Sequence, residues 1–281
     1  MSAGSFAIDI SKHRSGRRSA EPDSVAVEEP LEIRLDYSTT AGRASKSVSI
    51  TMRTPGNDQE LAAGFLYTES IVRHVSDIAS IDVCGPAAPD SGSHNVYRVE
   101  LGNDVEIDLG RLQRHFYTTS SCGVCGKTSL DALRVTGGEP FKDSGPAFPQ
   151  EVLTSIPKSL RNVQDTFELT GGLHAAAAFT VDGRLITVME DVGRHNAVDK
   201  VVGHLLLQGQ LPANEFGLMV SGRASFELMQ KALVAGMPLL AAVSAPSSLA
   251  VKLAREFNMT LIGFLRGDTF NVYAGDDRIC P

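Results

Sequence analysis

Between His174 and Ala274 the chain repeats one pattern: a short apolar run, a break rich in Gly and Ser, then a stretch with helical spacing. That order forces strands to lie side by side with helices on their faces, an open α/β sheet. HAAAAFTVDGRLITVME makes two strands around the turn Asp182-Gly183. HNAVDKVVGHLLLQ sets Val198, Val201, Val202, Leu205 and Leu206 on one helical stripe. FGLMV is a buried strand, and SFELMQKALVAG a helix stopped by Gly236. PLLAAVSA adds a strand and SSLAVKLAREF a helix, and TLIGFL pairs with FNVYA at the end.

The preceding part is strand-rich with one good helix. EPLEIRLDY turns Leu31, Ile33 and Leu35 inward, and KSVSITMRT does the same with Val48, Ile50 and Met52. TPGND then turns the chain, and Asn57 or Asp58 can cap a helix through LAAGFLYTES. NVYRVEL is a further strand. GGEPFKDSGPAFP, from Gly137 to Pro149, is dense in Gly and Pro and marks a boundary. The expected organisation is a flexible polar tail over 1–24, a strand-rich domain over 25–144 and an α/β domain over 145–281. The tail carries Lys12, His13, Arg14, Arg17 and Arg18.

A formal net charge of −7 argues against a general binder of nucleic acid or of a membrane surface. No apolar run reaches the roughly 18 residues of a membrane span, and the first twenty residues lack the apolar core of a secretory signal. Of four cysteines, Cys84 and Cys280 stand far apart in the chain. That is no disulfide framework, so the expected compartment is the reducing cytoplasm.

Ligands of open α/β sheets gather at the carboxyl ends of the strands. Four strand ends are followed by similar chemistry: DVGRHN, SGRAS, SAPSS and LRGDT. Three of these loops open a helix, where backbone N–H groups and hydroxyls can approach phosphate oxygens. Arg194, Arg223 and Arg266 add charge-assisted donors, and Ser221, Gly222 and Ser225 would line the phosphates. A phosphate-bearing ligand is expected. His195 and Asp199 lie one helical turn apart, as an oriented imidazole or as a structural pair. His174, before four alanines, is expected to be structural.

SSCGVCGK, Ser120 to Lys127, brings two thiols three positions apart. Structural zinc needs four ligands and catalytic zinc three; Cys122 and Cys125 give two, and His115 could be a third. A redox dithiol belongs at a helix start after a strand, whereas this pair follows a polar stretch from Leu112 that is expected to be an exposed, mobile loop. Sulfur transfer suits such a loop. Lys127 and a helix starting near Thr128 and Asp131 would favour the thiolate. Spacing alone leaves the three readings open.

EEPLEIRL, MRTPGNDQELAAGFLYTE, SSCGVCGKTSLD, TGGLHAAAAF, EDVGRHNAVDK, VSGRASFELMQKA and AVSAPSSLAVKLA, in this order, resemble the FdhD family of formate dehydrogenase accessory sulfurtransferases. The resemblance runs from about Val25 onward. It implies a carrier that takes sulfur from a cysteine desulfurase. The sulfur passes to the bis-guanine-dinucleotide form of the molybdenum cofactor, which serves formate dehydrogenase. The persulfide would form on Cys122, the first of the pair with Cys125. The cofactor segment would fall on Phe264, Leu265, Arg266, Gly267, Asp268 and Thr269. GDP would bind as a fragment, the protein would be a homodimer, and the second domain would be similar to the cytidine deaminase fold. Zinc deamination itself requires H-x-E, and here Ala175 and Ala176 follow His174. The alternative to sulfur transfer is a non-catalytic chaperone that only holds the cofactor.

Overall fold

The computed structural model describes residues 4–88, 92–103, 105, 139–142 and 145–281. The stretch from Leu112 to Lys127, with His115, Cys122 and Cys125, and the helix start expected at Thr128 lie outside the described residues.

Within the stretch 1–24 expected to be a flexible tail, and just past it, β1 (Ser5–Arg14) and β2 (Arg17–Ala26) form an antiparallel hairpin. Ser15 and Gly16 take positive φ at its tip, as a tight two-residue hairpin turn requires. The alternation of Phe6, Ile8 and Ile10 was the available sequence signal.

β3 (Glu29–Thr39), β4 (Gly42–Arg53), β5 (Ile78–Val83) and β6 (Val96–Leu101) make a sheet in the order β4-β3-β6-β5. Leu31, Ile33 and Leu35 are fully buried, as their alternation requires. On β4 only Val48 follows suit. The pairing jumps from Ile33–Ser49 to Arg34–Ser47, so Val48 is the extra residue of a bulge. A bulge reverses the faces beyond it. Thr51 and Arg53 therefore turn inward, while Ile50 and Met52 are 64% and 46% exposed.

α1 (Asp58–Thr68) starts where expected, but without a side-chain cap. Asn57 sits at the N-cap position with φ 55° and makes no capping bond. The Asp58 carboxylate is taken by Arg53, whose Nε and Nη2 donate to it at 2.9 and 3.1 Å. This bidentate pair is buried.

The second half contains β7 (Phe148–Pro149), α2 (Gln150–Arg161), α3 (Asp165–Thr170), β8 (His174–Phe179), β9 (Leu185–Asp191) and α4 (Arg194–Leu207). Then come β10 (Gly217–Val220), α5 (Phe226–Val234), β11 (Leu239–Ala242) and α6 (Ser248–Glu256). β12 (Thr260–Arg266), β13 (Thr269–Ala274) and β14 (Ile279–Cys280) end the chain, β14 pairing with β7. The main sheet has the order β13-β12-β11-β10-β8-β9. β8, β10, β11 and the first part of β12 read as nearly unbroken apolar runs because both faces are covered. Ala176, Ala178, Leu218, Leu240 and Leu261 join one core with α4, α5 and α6. Ala175, Ala177, Met219, Leu239 and Ile262 join another with Leu153, Ile156 and Leu160 of α2.

The first of these cores also takes in Leu31, Ile33, Leu61 and Leu66, so it runs across residues 137–149. At its centre α1 meets α4 backbone to backbone. A Cβ on Gly64 would lie 1.8 Å from the Asp199 carbonyl oxygen, and one on Gly203 would lie 1.8 Å from that of Glu60. Buried polar bonds cross here too. Lys200 Nζ donates to the Thr54 carbonyl at 2.9 Å and pairs with Asp191 at 2.8 Å. Asn196 Nδ2 donates to the Met52 carbonyl at 2.8 Å.

Candidate functional site

β10, β11 and β12 are mutually parallel, and β9 and β10 each run antiparallel to β8. β9 to β12 therefore end at one edge of the sheet, which brings the four predicted loops to the same side. Three are stitched together by backbone bonds: Ser247 N–H donates to Ala224 O at 2.9 Å and Phe264 N–H to Ser244 O at 3.2 Å. The fourth, DVGRHN, is folded onto Asp191, whose Oδ1 accepts from Gly193 N and Asn196 Nδ2.

A pocket of about 640 Å³ opens at this edge. Its strand-end wall is Ser221, Val243, Leu265 and Arg266, with His174 at the start of β8. Ser221 Oγ accepts from Ala175 N at 2.9 Å, so its own proton is left to donate to a ligand. Arg266 Nε donates to Val243 O at 2.9 Å, which pins the guanidinium near the pocket. Two residues earlier, Phe264 has φ 54° and is 40% exposed. A bulky residue in the left-handed region is strained, and such strain persists where the surroundings impose it, often at functional sites. Here β12 breaks register with β13 between Gly263 and Arg266. Gly263 has no room for a side chain: a Cβ would come within 2.9 Å of both Pro246 and Tyr273.

Of the predicted ligand residues, Ser221, Leu265 and Arg266 line the pocket. Gly222 packs beside it, its missing Cβ 3.4 Å from His174 Nδ1. Phe264, Gly267, Asp268 and Thr269 are exposed around the β12–β13 turn, and Arg223 is exposed on its loop. Ser225 is the N-cap of α5 and makes no capping bond with its side chain. Arg194 and His195 open α4, outside the pocket lining.

The His195–Asp199 pair considered from sequence is corrected. Asp199 is buried and accepts from Lys231 Nζ at 2.8 and 3.0 Å and from Thr68 Oγ1 at 2.8 Å. Burial alone lowers the Lys231 amine, but the facing Asp199 and Glu69 carboxylates more than reverse this and raise it. His195 instead turns to Glu227, Nε2 to Oε2 3.9 Å. Burial, then the charges of Lys231 and Arg194, push its pKa down to about 4. His174 is lowered as well, by burial first and Arg194 second. Two imidazoles at this edge are thus biased toward the neutral form.

Sequence reasoning missed the opposite wall: Pro157, Leu160 and Arg161 of α2, then Gln164, Phe167, Gly171 and Gly172. RNVQDTFELT carries no motif, and only packing on the sheet makes it a wall. No helix among the described residues is long and apolar enough to cross a membrane.

The FdhD/NarQ family model matches residues 26–280. A protein of Streptomyces coelicolor named sulfur carrier protein FdhD is 53% identical over 268 residues, covering 95% of this chain and 92% of that one. A protein of the same name from Mycobacterium tuberculosis is 49% identical, with 92% of each covered. The crystal structure of a Desulfotalea psychrophila protein described as a formate dehydrogenase accessory protein superposes with a TM-score of 0.75. That structure has 24% identity over 99% of this chain and 100% of its own.

Proposed function

The chain belongs to the FdhD/NarQ family, and from that membership we propose that it is a sulfur carrier serving formate dehydrogenase. In this reading the Cys122 thiolate attacks the outer sulfur of a cysteine desulfurase persulfide. The S–S bond of the donor breaks, the donor leaves as a thiolate, and Cys122 becomes the persulfide. Lys127 supplies a positive charge that favours the attacking thiolate. The acceptor, the molybdenum bis-guanine-dinucleotide cofactor, is held through its nucleotide arms, with Ser221 and Arg266 toward the phosphates. The protein works as a homodimer in the reducing cytoplasm. The supporting observation is the pocket at the shared edge of the strand-end loops, where Ser221 and Arg266 meet. The name carried by relatives about half identical to this chain agrees with it.

Two measurements test the two halves of the proposal. Incubation with a desulfurase and cysteine should add the mass of one sulfur to the Cys125→Ala variant and not to Cys122→Ala; the reverse pattern would move the carrier to Cys125. GDP should bind the unaltered protein, and Arg266→Ala should weaken it roughly tenfold, the usual loss for a charge-assisted bond. Arg223→Ala, outside the pocket, should lose less. Full formate dehydrogenase activity in cells carrying the double variant Cys122→Ala, Cys125→Ala would leave the chaperone reading instead.

A further inference from the structure

The pocket has two chemically different ends. Ser221, His174 and Arg266 form the one at the strand ends. The other is made by Arg161, Gln164 and Phe167, where α2 gives way to α3. Gln164 is only 5% exposed as a residue and lines the pocket. An amide at a pocket wall can offer a ligand both a donor NH₂ and an acceptor carbonyl. Beside it the Arg161 guanidinium lies over the Phe167 ring, Cζ 4.2 Å from the centroid. Both belong to the pocket lining, so they offer a flat, polarisable shelf.

This end is not made for phosphate. The first N–H groups of α3, which could hold an anion, are already used: Thr166 N and Phe167 N donate to the Glu190 carboxylate at 3.1 and 2.9 Å. Arg161 Nε has Glu168 at 3.7 Å, so its charge is already answered in part. What fits a shelf beside a pocket-lining amide is a neutral, planar group with adjacent donor and acceptor. A nucleobase has that character, and the guanine edge sets O6 next to N1–H, matching the amide's NH₂ and carbonyl.

We propose that Gln164 and the Arg161–Phe167 stack form the nucleobase subsite, with the phosphates directed to Ser221 and Arg266. The inference rests on the nucleotide reading above and assigns its base-binding end. Phe167 supplies the stacking surface, and Gln164 orients the base in the plane.

Calorimetry tests it first without any substitution: the unaltered protein should bind GMP about tenfold or more tightly than ribose 5-phosphate, which lacks the base. Equal affinity overturns the subsite. GDP and inorganic pyrophosphate are then titrated into Phe167→Ala and Gln164→Leu. GDP should weaken about tenfold in the first and severalfold in the second, with pyrophosphate unchanged in both. Unchanged GDP binding in both variants, or a parallel loss of GDP and pyrophosphate, overturns the inference alone. Absence of GDP binding by the unaltered protein removes the nucleotide reading, and this inference with it.

Discussion

Of the two shifted imidazoles, His195 departs further from its ordinary protonation. Burial drives its pKa down to about 4 from the ordinary 6.5; Lys231 and Arg194 add to the effect, and Glu227 opposes it. The unfolded chain therefore binds a proton on this imidazole near pH 6.5, while the folded chain declines it until about pH 4. The contribution to stability is fully present above the unfolded value and is lost as pH falls through this window. Thermal unfolding of the parent should drop between pH 6.5 and 4, and His195→Gln should flatten part of that drop. Identical pH profiles for the two proteins would assign the acid sensitivity to other groups. The histidine itself was legible in EDVGRHNAVDK, but its partner was not. Sequence puts Asp199 one turn away, whereas Lys231, 32 positions on, claims that carboxylate.

At the scale of elements, the second half was legible because every central strand is buried on both faces and shows as an apolar run between Gly-Ser breaks. β4 was half legible. Its alternation is real, but which side is inward depends on the Val48 bulge, and a bulge is a property of two strands paired, not of either alone. The pocket wall at Gln164 and Phe167 was illegible for a similar reason, since it becomes a wall only when α2 packs across the sheet. The α1–α4 contact gives a sharp test. Replacing a helical glycine by alanine ordinarily stabilises by about 0.5–1 kcal/mol. Gly64→Ala should do the opposite, because the new methyl would meet the Asp199 carbonyl at 1.8 Å. A lowered melting temperature is expected, on the scale of about 1–3 kcal/mol for overpacking. A melting temperature equal to or above the parent's would mean that the helices can part at little cost.

For the whole molecule, the Gly-Pro stretch from Gly137 to Pro149 suggests two separable parts, but one apolar core and several buried polar bonds run across it. Lys231 and Thr68 share the Asp199 carboxylate across the same divide. Unfolding of the two halves should therefore be coupled. Calorimetry and denaturant titration should each give one cooperative transition for residues on both sides of the stretch. Two resolved transitions would show that the shared core contributes little. The α1–α4 crossing also bears on recombining this chain with its relatives. A chimera spliced near residue 145 exchanges one helix of that crossing and keeps the other. Because the two helices touch through bare backbone at Gly64 and Gly203, the graft needs a glycine from each parent and no matched side chains there. Compatibility would instead be decided a turn away, where the donor must bring an Asp199 for the recipient's Thr68, or the reverse.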